Sequence, residues 1–195
     1  MDYTIKHVMT ENELSNVLTF AKKVFGDHIA TRRQKEEWLG YMKRNNELLL
    51  YATTVDEVVG IALGFIEDNG NMTIAAVGVD ERLRMLGVAK EMMLMLEERA
   101  KTHGVHLIVL GAVQTAEGFY AKLGYNGSML IQSEEYSIDE LLSLNSKHKV
   151  RYTNVYDGKI NQVCLNLPES DRELQHKYET SLPRCNVQMM FWKNI

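Results

Sequence analysis

Long hydrophobic runs are absent from this sequence. The longest covers residues 58–66, far below the roughly 20 residues that a membrane-spanning helix needs. The first residues, MDYTIKHV, lack the basic segment followed by a long apolar stretch that marks a secretory signal peptide. The sequence therefore predicts a soluble, cytoplasmic protein that does not bind a membrane.

Cysteine and positive charge are also scarce. Only two cysteines, Cys164 and Cys185, occur, and no Cys/His spacing is typical of zinc, so we expect two free thiols and no metal. The 26 acidic residues outnumber the 22 lysines and arginines, which gives a formal net charge of −4. Because binding through nucleic-acid phosphates needs a basic face, we expect no nucleic-acid partner.

The remaining composition is that of an ordinary globular chain. Of the 195 residues, 45% are hydrophobic and 25% are charged, which favours one domain with a sizeable core and an appended part. Hydrophobic periodicity predicts alternating strands and helices up to residue 135. The predicted strands cover residues 3–8, 48–53, 58–66, 72–79, 106–110 and 125–132, and the predicted helices cover residues 14–24, 31–42, 86–102 and 115–123.

The pattern changes from residue 137 onward. We predict a helix at 138–144 and then a hairpin that turns at Asp157-Gly158 between strands 151–156 and 162–167. A helix at 170–180 and a strand at 187–192 follow. Residues 1–136 carry 14 basic and 19 acidic side chains, whereas residues 137–195 carry 8 and 7. We therefore expect a domain of residues 1–136 and a small C-terminal α+β extension, 137–195, that docks on it, completes an acceptor site or forms a homodimer.

The clearest chemical signal lies at the predicted junction between strand 72–79 and helix 86–102. A helix N-terminus offers backbone N–H groups without intrahelical partners, and the helix dipole adds partial positive charge. Gly87 lets a ligand approach the backbone, Ala89 adds little bulk, and Arg84 and Lys90 carry positive charge. A pyrophosphate fits such a place, although neither a Walker loop nor a dinucleotide fingerprint is present.

Two motifs give the sequence its resemblance to a known family. The segment Arg84-Met-Leu-Gly87-Val-Ala89 resembles the Gln/Arg-x-x-Gly-x-Gly/Ala signature of the GNAT superfamily of acyl-CoA-dependent N-acetyltransferases. Residues 116–125, Ala-Glu-Gly-Phe-Tyr-Ala-Lys-Leu-Gly-Tyr, resemble the second motif of that family. The order of predicted elements also matches over residues 3–133. The resemblance implies a mixed α/β fold with a central, mostly antiparallel sheet flanked by helices.

The resemblance also implies roles for particular residues. The backbone of Val77, Gly78 and Val79 would lie beside the pantetheine arm of acetyl-CoA, and one N–H group would polarise the thioester carbonyl. Tyr120 matches the frequent general acid of the family, which protonates the departing thiolate. The pyrophosphate would be bound by the junction residues Arg84, Met85, Leu86, Gly87, Val88, Ala89 and Lys90.

The implied reaction is acetyl transfer to a primary amine by direct attack in a ternary complex. The acceptor, a small molecule or a protein, is not identified by the sequence. Glu81 and Val113 depart from the family pattern, which commonly has proline and asparagine at these positions. The general base stays open among His106, Glu67, Asp68, Asp27, His28, Glu134 and a water chain. This open question leaves an alternative function, a catalytically silent acyl-CoA-binding regulatory module.

Overall fold

The computed structural model describes residues 2–26, 33–55 and 57–195. The chain forms two compact units, the first of Met1–Val109 with Asn194–Ile195 and the second of Leu110–Lys193. The predicted boundary after residue 136 separates the motif-bearing part of the chain from its extension, and it stays a prediction.

The first unit alternates strands and helices in the predicted order. Its strands are β1 (Thr4–His7), β2 (Leu49–Thr53), β3 (Val58–Ile66), β4 (Met72–Val79) and the start of β5 (Leu107–Ala112). Its helices are α1 (Glu11–Phe25), α2 (Lys35–Asn45) and α3 (Val88–Thr102). Strands β1 to β4 pair antiparallel in chain order, so the predicted antiparallel strands are confirmed.

Helices α1 and α3 cover opposite faces of this sheet. Phe25 of α1 lies 2.9 Å from the position that a β-carbon would take at Gly78, and Met92 of α3 lies 3.2 Å from that position at Gly60. Gly78 pairs with Ile61, and successive strand residues point to opposite faces, so the two glycines face opposite ways. The cluster beneath α1 contains Val8, Leu14, Val17, Phe20, Ala21, Trp38, Leu49, Tyr51, Ile61, Leu63 and Ala76.

The second unit contains the other strands and helices. Its strands are β6 (Asn126–Ser133), β7 (Val150–Tyr156), β8 (Ile160–Asn166) and β9 (Asn186–Asn194), which pair antiparallel in the order β9-β6-β8-β7. Its helices are α4 (Glu117–Lys122), α5 (Ile138–Ser143) and α6 (Arg172–Ser181). The predicted hairpin is confirmed, because Asp157 and Gly158 form its turn with φ of 52° and 68°.

Several predicted boundaries differ from the structure for identifiable reasons. Helix α3 begins at Val88 rather than at residue 86, because Gly87 has a left-handed backbone and ends the preceding turn. The helix predicted at 115–123 is divided into a 3-10 turn, Gln114–Ala116, and α4. Strand β6 already includes Asn126 and Gly127, and the chain turns earlier, at Gly124 with φ 81°.

The predicted fold class is confirmed: the chain is mixed α/β, with mostly antiparallel strand pairing and flanking helices. Within the described ranges, no helix is long and apolar enough to cross a membrane. Cys164 and Cys185 are both free thiols.

Gly127 provides a test of the packing in the second unit. A β-carbon at Gly127 would lie 2.2 Å from the carbonyl oxygen of Leu167, and a backbone atom cannot move aside as a flexible side chain does. We expect Gly127→Ala to destabilise the protein by about 3 kcal/mol and to lower the melting temperature by about 6–12 °C. The control is Gly118→Ala in α4, where a β-carbon meets no described atom within 4 Å. An unchanged melting temperature for Gly127→Ala would contradict this packing.

Candidate active site

Strand β4 directs alternate backbone groups to its two sides. The Asp80 N–H group donates to the Val59 carbonyl oxygen at 2.8 Å, which directs the backbone groups of Asp80 toward β3. Because these groups alternate along a strand, Gly78 also directs its N–H and C=O groups to β3. The backbone groups of Val77 and Val79 therefore point away from β3, toward the side on which β5 is the next strand of the sheet.

A β-bulge lies in the same strand. Leu63 pairs with Ala76 and Gly64 pairs with Ile74, so Ala75 is an extra residue in β4. A bulge interrupts the regular pairing and redirects the residues next to it. The amino-acid pattern gave no signal for this bulge, because residues 72–79 alternate without a glycine at that position.

Gly87 forms the junction between the loop and α3. Its backbone is left-handed, with φ 90° and ψ −6°, and its position gives the helix no side-chain cap. The first intrahelical bond runs from the Glu91 N–H group to the Gly87 carbonyl oxygen at 2.9 Å. The N–H groups of Val88, Ala89 and Lys90 therefore precede the intrahelical bonding pattern and can bind an anion.

The residues before Gly87 form an exposed, tightly curved loop. Met85 also has a positive φ of 65°, a conformation that costs a non-glycine residue about 1–2 kcal/mol. The Met85 side chain is 99% exposed, and the Leu86 side chain is 59% exposed. Met92 and Met93 of α3 are buried in the core, whereas Met85 lies before the helix and outside that core.

Two positively charged side chains, Arg84 and Lys90, lie at this loop and differ in their ion pairing. The Arg84 guanidinium lies 3.4 Å from the Glu81 carboxylate, and both side chains are largely exposed. Exposed pairs of this kind are weak, so Arg84 can exchange Glu81 for a ligand anion. Lys90 is exposed, and it forms no ion pair within the described part of the chain. Both cations can therefore supply charge to an anionic ligand.

A charged network that the sequence analysis missed holds the start of the loop. Arg82 donates to Asp80 through Nε at 2.8 Å and through Nη2 at 3.1 Å, and its Nη2 also donates to Glu57 at 2.6 Å. Lys23 of α1 lies 3.5 Å from the Asp80 carboxylate. The hydrogen bonds from Arg82 hold the pKa of Asp80 well below its usual range. The available sequence signal was Asp80 itself, which caps the following turn by accepting from the Arg82 N–H group at 3.0 Å.

Tyr120 lies in α4 of the second unit, inside an aromatic cluster. Its ring centroid is 5.1 Å from that of Phe119, 6.1 Å from that of Tyr125 and 5.7 Å from that of Phe191. The residue is 6% exposed, and burial raises its pKa to about 12. Its hydroxyl makes no hydrogen bond to any residue that the structure describes. Tyr120 therefore keeps its proton at neutral pH, and its hydroxyl can donate a hydrogen bond to a ligand.

An ion pair holds the first turn of α4. The Arg172 Nη2 atom lies 2.5 Å from the Glu117 Oε1 atom, and the Glu117 side chain is only 14% exposed. Arg172 also donates to Gln175 at 2.6 Å. The pair therefore connects α6 to the turn that leads to Tyr120, and no short sequence motif indicates it, because 55 positions separate the partners.

The carboxylates proposed as a general base are engaged or exposed. Glu67 accepts a hydrogen bond from the Thr73 hydroxyl at 2.9 Å, and Asp68 is exposed in the turn after β3. Glu134 lies 3.6 Å from the Lys159 ammonium. Both Glu67 and Glu134 are exposed, so the structure singles out neither of them as the base.

The other candidate bases lie at the ends of elements. His106 is exposed immediately before β5, and its carbonyl oxygen accepts a hydrogen bond from the Ile195 N–H group at 3.2 Å. Asp27 and His28 lie outside the described residues. The described residues contain no group of three or more His, Cys, Asp or Glu side chains that could hold a metal ion.

The family model for the acetyltransferase (GNAT) family matches residues 13–125. This range includes β4, the Gly87 junction, α3 and Tyr120. Sequence comparison with curated proteins finds no match.

Solved structures share the fold at low sequence identity. Ard1 from Thermoplasma volcanium is 17% identical with a TM-score of 0.55, over 86% of this chain and 99% of that one. Arabidopsis thaliana Naa50, in complex with the bisubstrate analogue CoA-Ac-MVNAL, is 17% identical with a TM-score of 0.53, over 86% and 99%.

A third similar structure is the diaminobutyrate acetyltransferase EctA from Paenibacillus lautus, in complex with L-2,4-diaminobutyric acid and coenzyme A. It is 13% identical with a TM-score of 0.53, over 87% of this chain and 98% of that one. Because the family model spans more than half of the sequence, the resemblance is confirmed: the chain belongs to the GNAT family of acetyl-CoA-dependent N-acetyltransferases.

Proposed function

We propose that this enzyme transfers the acetyl group of acetyl-CoA to a primary amine of its acceptor by direct attack in a ternary complex. The observation that carries the proposal is the Gly87 junction. There the uncapped N–H groups of α3 follow a strand whose Val77 and Val79 backbone groups point away from β3. An extended chain that ends in a pyrophosphate needs both features in this order.

Different residues at the junction bind different parts of acetyl-CoA. Val77 and Val79 pair with the amides of the pantetheine arm, and the N–H group of Val77 or a neighbour polarises the thioester carbonyl. The N–H groups of Met85 to Lys90 bind the pyrophosphate, and the Arg84 and Lys90 side chains add positive charge. Acetyl-CoA supplies an activated acetyl group in the form of a thioester.

The transfer forms a carbon–nitrogen bond, breaks a carbon–sulfur bond and moves two protons. The amine nitrogen bonds to the acetyl carbon, the carbon–sulfur bond breaks, and a base or water takes the proton that the amine loses. Tyr120 gives its proton to the departing thiolate, and the proton that the amine lost returns to the Tyr120 phenolate through water. The pKa of Tyr120, about 12, keeps this proton on the phenol until the reaction. A thiolate in equally dry surroundings is also desolvated, which raises its own basicity and helps the proton transfer.

The comparisons support an amine acceptor without identifying it. One similar structure holds an analogue that joins CoA to an acetylated peptide sequence, and another holds a diamine acid. We propose an acceptor that is a small molecule or a protein with a primary amine. The free thiols Cys164 and Cys185 fit the predicted cytoplasmic location.

The first test is acetyl-CoA binding at Gly87. A ligand at about 100 times its Kd adds about 2.7 kcal/mol of stability, so we expect acetyl-CoA to raise the melting temperature by about 5–10 °C. Gly87→Val should abolish this rise, because a branched side chain strains the left-handed backbone and covers the N–H groups. ATP and NAD serve as comparison ligands.

The matched control is Gly104→Val. Gly104 lies at the other end of α3, also has a positive φ, 73°, and also meets no described atom within 4 Å at its β-carbon position. This variant should lose comparable stability but keep the rise with acetyl-CoA. A rise that survives Gly87→Val, or that is lost equally in both variants, contradicts the assignment of the Gly87 site.

The second test concerns Tyr120. Tyr120→Phe should lower kcat by about 100-fold and leave the KM for acetyl-CoA nearly unchanged, because a proton donor acts in the transition state. The control is Tyr178→Phe, which removes another buried hydroxyl of the same unit, bonded to the Leu141 carbonyl at 2.5 Å. Tyr178→Phe should lower stability without lowering kcat. An unchanged kcat for Tyr120→Phe would show that this side chain serves packing alone.

A regulatory acyl-CoA sensor is the alternative function. The observation in its favour is that the described candidate bases are exposed or bonded to other groups. A broad panel of amines separates the two functions. Binding of acetyl-CoA with acetylation of an amine supports the enzyme, whereas equally tight binding without turnover of any amine supports the sensor.

A further inference from the structure

Strand β7 is an exposed sheet edge. It ends the strand order β9-β6-β8-β7, and among the described residues its only strand partner is β8. All of its residues are exposed except Arg151. Edge strands usually carry a charged residue, a proline, a β-bulge or a cover that prevents pairing with another chain. In residues 150–156, VRYTNVY, the one charge is Arg151 and the register shift lies at the same place, so residues 152–156 contain no charge, proline or bulge. Tyr152, Val155 and Tyr156 are 39%, 48% and 58% exposed.

The regular part of this edge is complementary to itself. The register with β8 shifts between Val150 and Tyr152, which leaves residues 152–156 as the regular stretch. If a second copy runs antiparallel with Asn154 opposite its own equivalent, Tyr152 lies opposite Tyr156 of that copy, and Thr153 lies opposite Val155 of that copy. Aromatic pairs and pairs of β-branched residues are the cross-strand combinations that stabilise a sheet.

Charge supports the same pairing. Arg151 at the register shift and Asp157 in the hairpin turn lie just outside the ladder, so in this arrangement Arg151 of one copy and Asp157 of the other stand near each other at both ends. The Arg151 guanidinium lies over the Trp192 ring at 3.9 Å, which restricts its side chain. Asp157 is exposed in the hairpin turn. An unrelated peptide is not expected to carry complementary charges at both ends of the paired stretch.

We propose that two copies of this chain associate through β7, antiparallel and with the two-fold axis at Asn154, so that each copy extends the sheet of the other. This assignment does not depend on the acetyltransferase function, since it uses no residue of the Gly87 site.

The test uses the residue on the axis. Asn154→Lys places two lysines opposite each other and Asn154→Asp places two aspartates there, and like charges directly opposite destabilise a strand pair. Sedimentation equilibrium over a range of concentrations should give a wild-type mass approaching twice the chain mass of 22.4 kDa. Each variant alone should dimerise about fivefold more weakly. An equimolar mixture of the two variants should recover the dimer, because lysine then faces aspartate.

The control variant is Leu94→Lys, which adds a lysine at an exposed apolar position of α3, 44% exposed, and should dimerise like the wild type. Melting temperatures confirm that all variants are folded. The proposal is overturned if the wild type stays monomeric at every concentration or forms species larger than a dimer. It is also overturned if the two Asn154 variants dimerise as well alone as when they are mixed.

Discussion

The left-handed backbone of Gly87 is the constraint on which the candidate site depends. It ends the loop after β4 and begins α3 without a side-chain cap, so the first N–H groups of the helix face outward instead of bonding to the protein. A serine or aspartate cap would stabilise the helix by about 1 kcal/mol but would occupy the same N–H groups. The chain forgoes this stabilisation at Gly87, where an anionic ligand would supply the missing hydrogen bonds.

The segments before and after the Gly87 loop are held by contacts with the protein, whereas the loop itself is exposed. Asp80, Arg82 and Glu57 fix the point where the chain leaves β4, and the buried Met92 holds α3 on the sheet. Between these fixed points, the residues from Arg84 to Gly87 are exposed. Ordered ends allow the loop to keep its curvature in the absence of a ligand, which lowers the entropic cost of binding.

Local patterns in the sequence predicted much of the fold but only part of the site. The bounds of β3 and β4, the Gly87 junction and the Asp157-Gly158 hairpin depend on apolar periodicity and on turn residues, which are visible in short windows. The bulge at Ala75 and the pair of Arg172 with Glu117 depend on partners that are distant in the sequence. The exposure of Met85 follows from its left-handed backbone, for which an apolar residue in the sequence gives no signal.

The central claim is that the N–H groups from Met85 to Lys90 bind acetyl-CoA, and amide NMR during a titration measures this directly. We expect the largest chemical-shift changes at these residues and at Val77 and Val79, with a single Kd. Gly104, at the far end of α3, should change little. Saturable binding that leaves the amides of residues 85–90 unchanged would contradict the account, and so would shifts confined to the second unit.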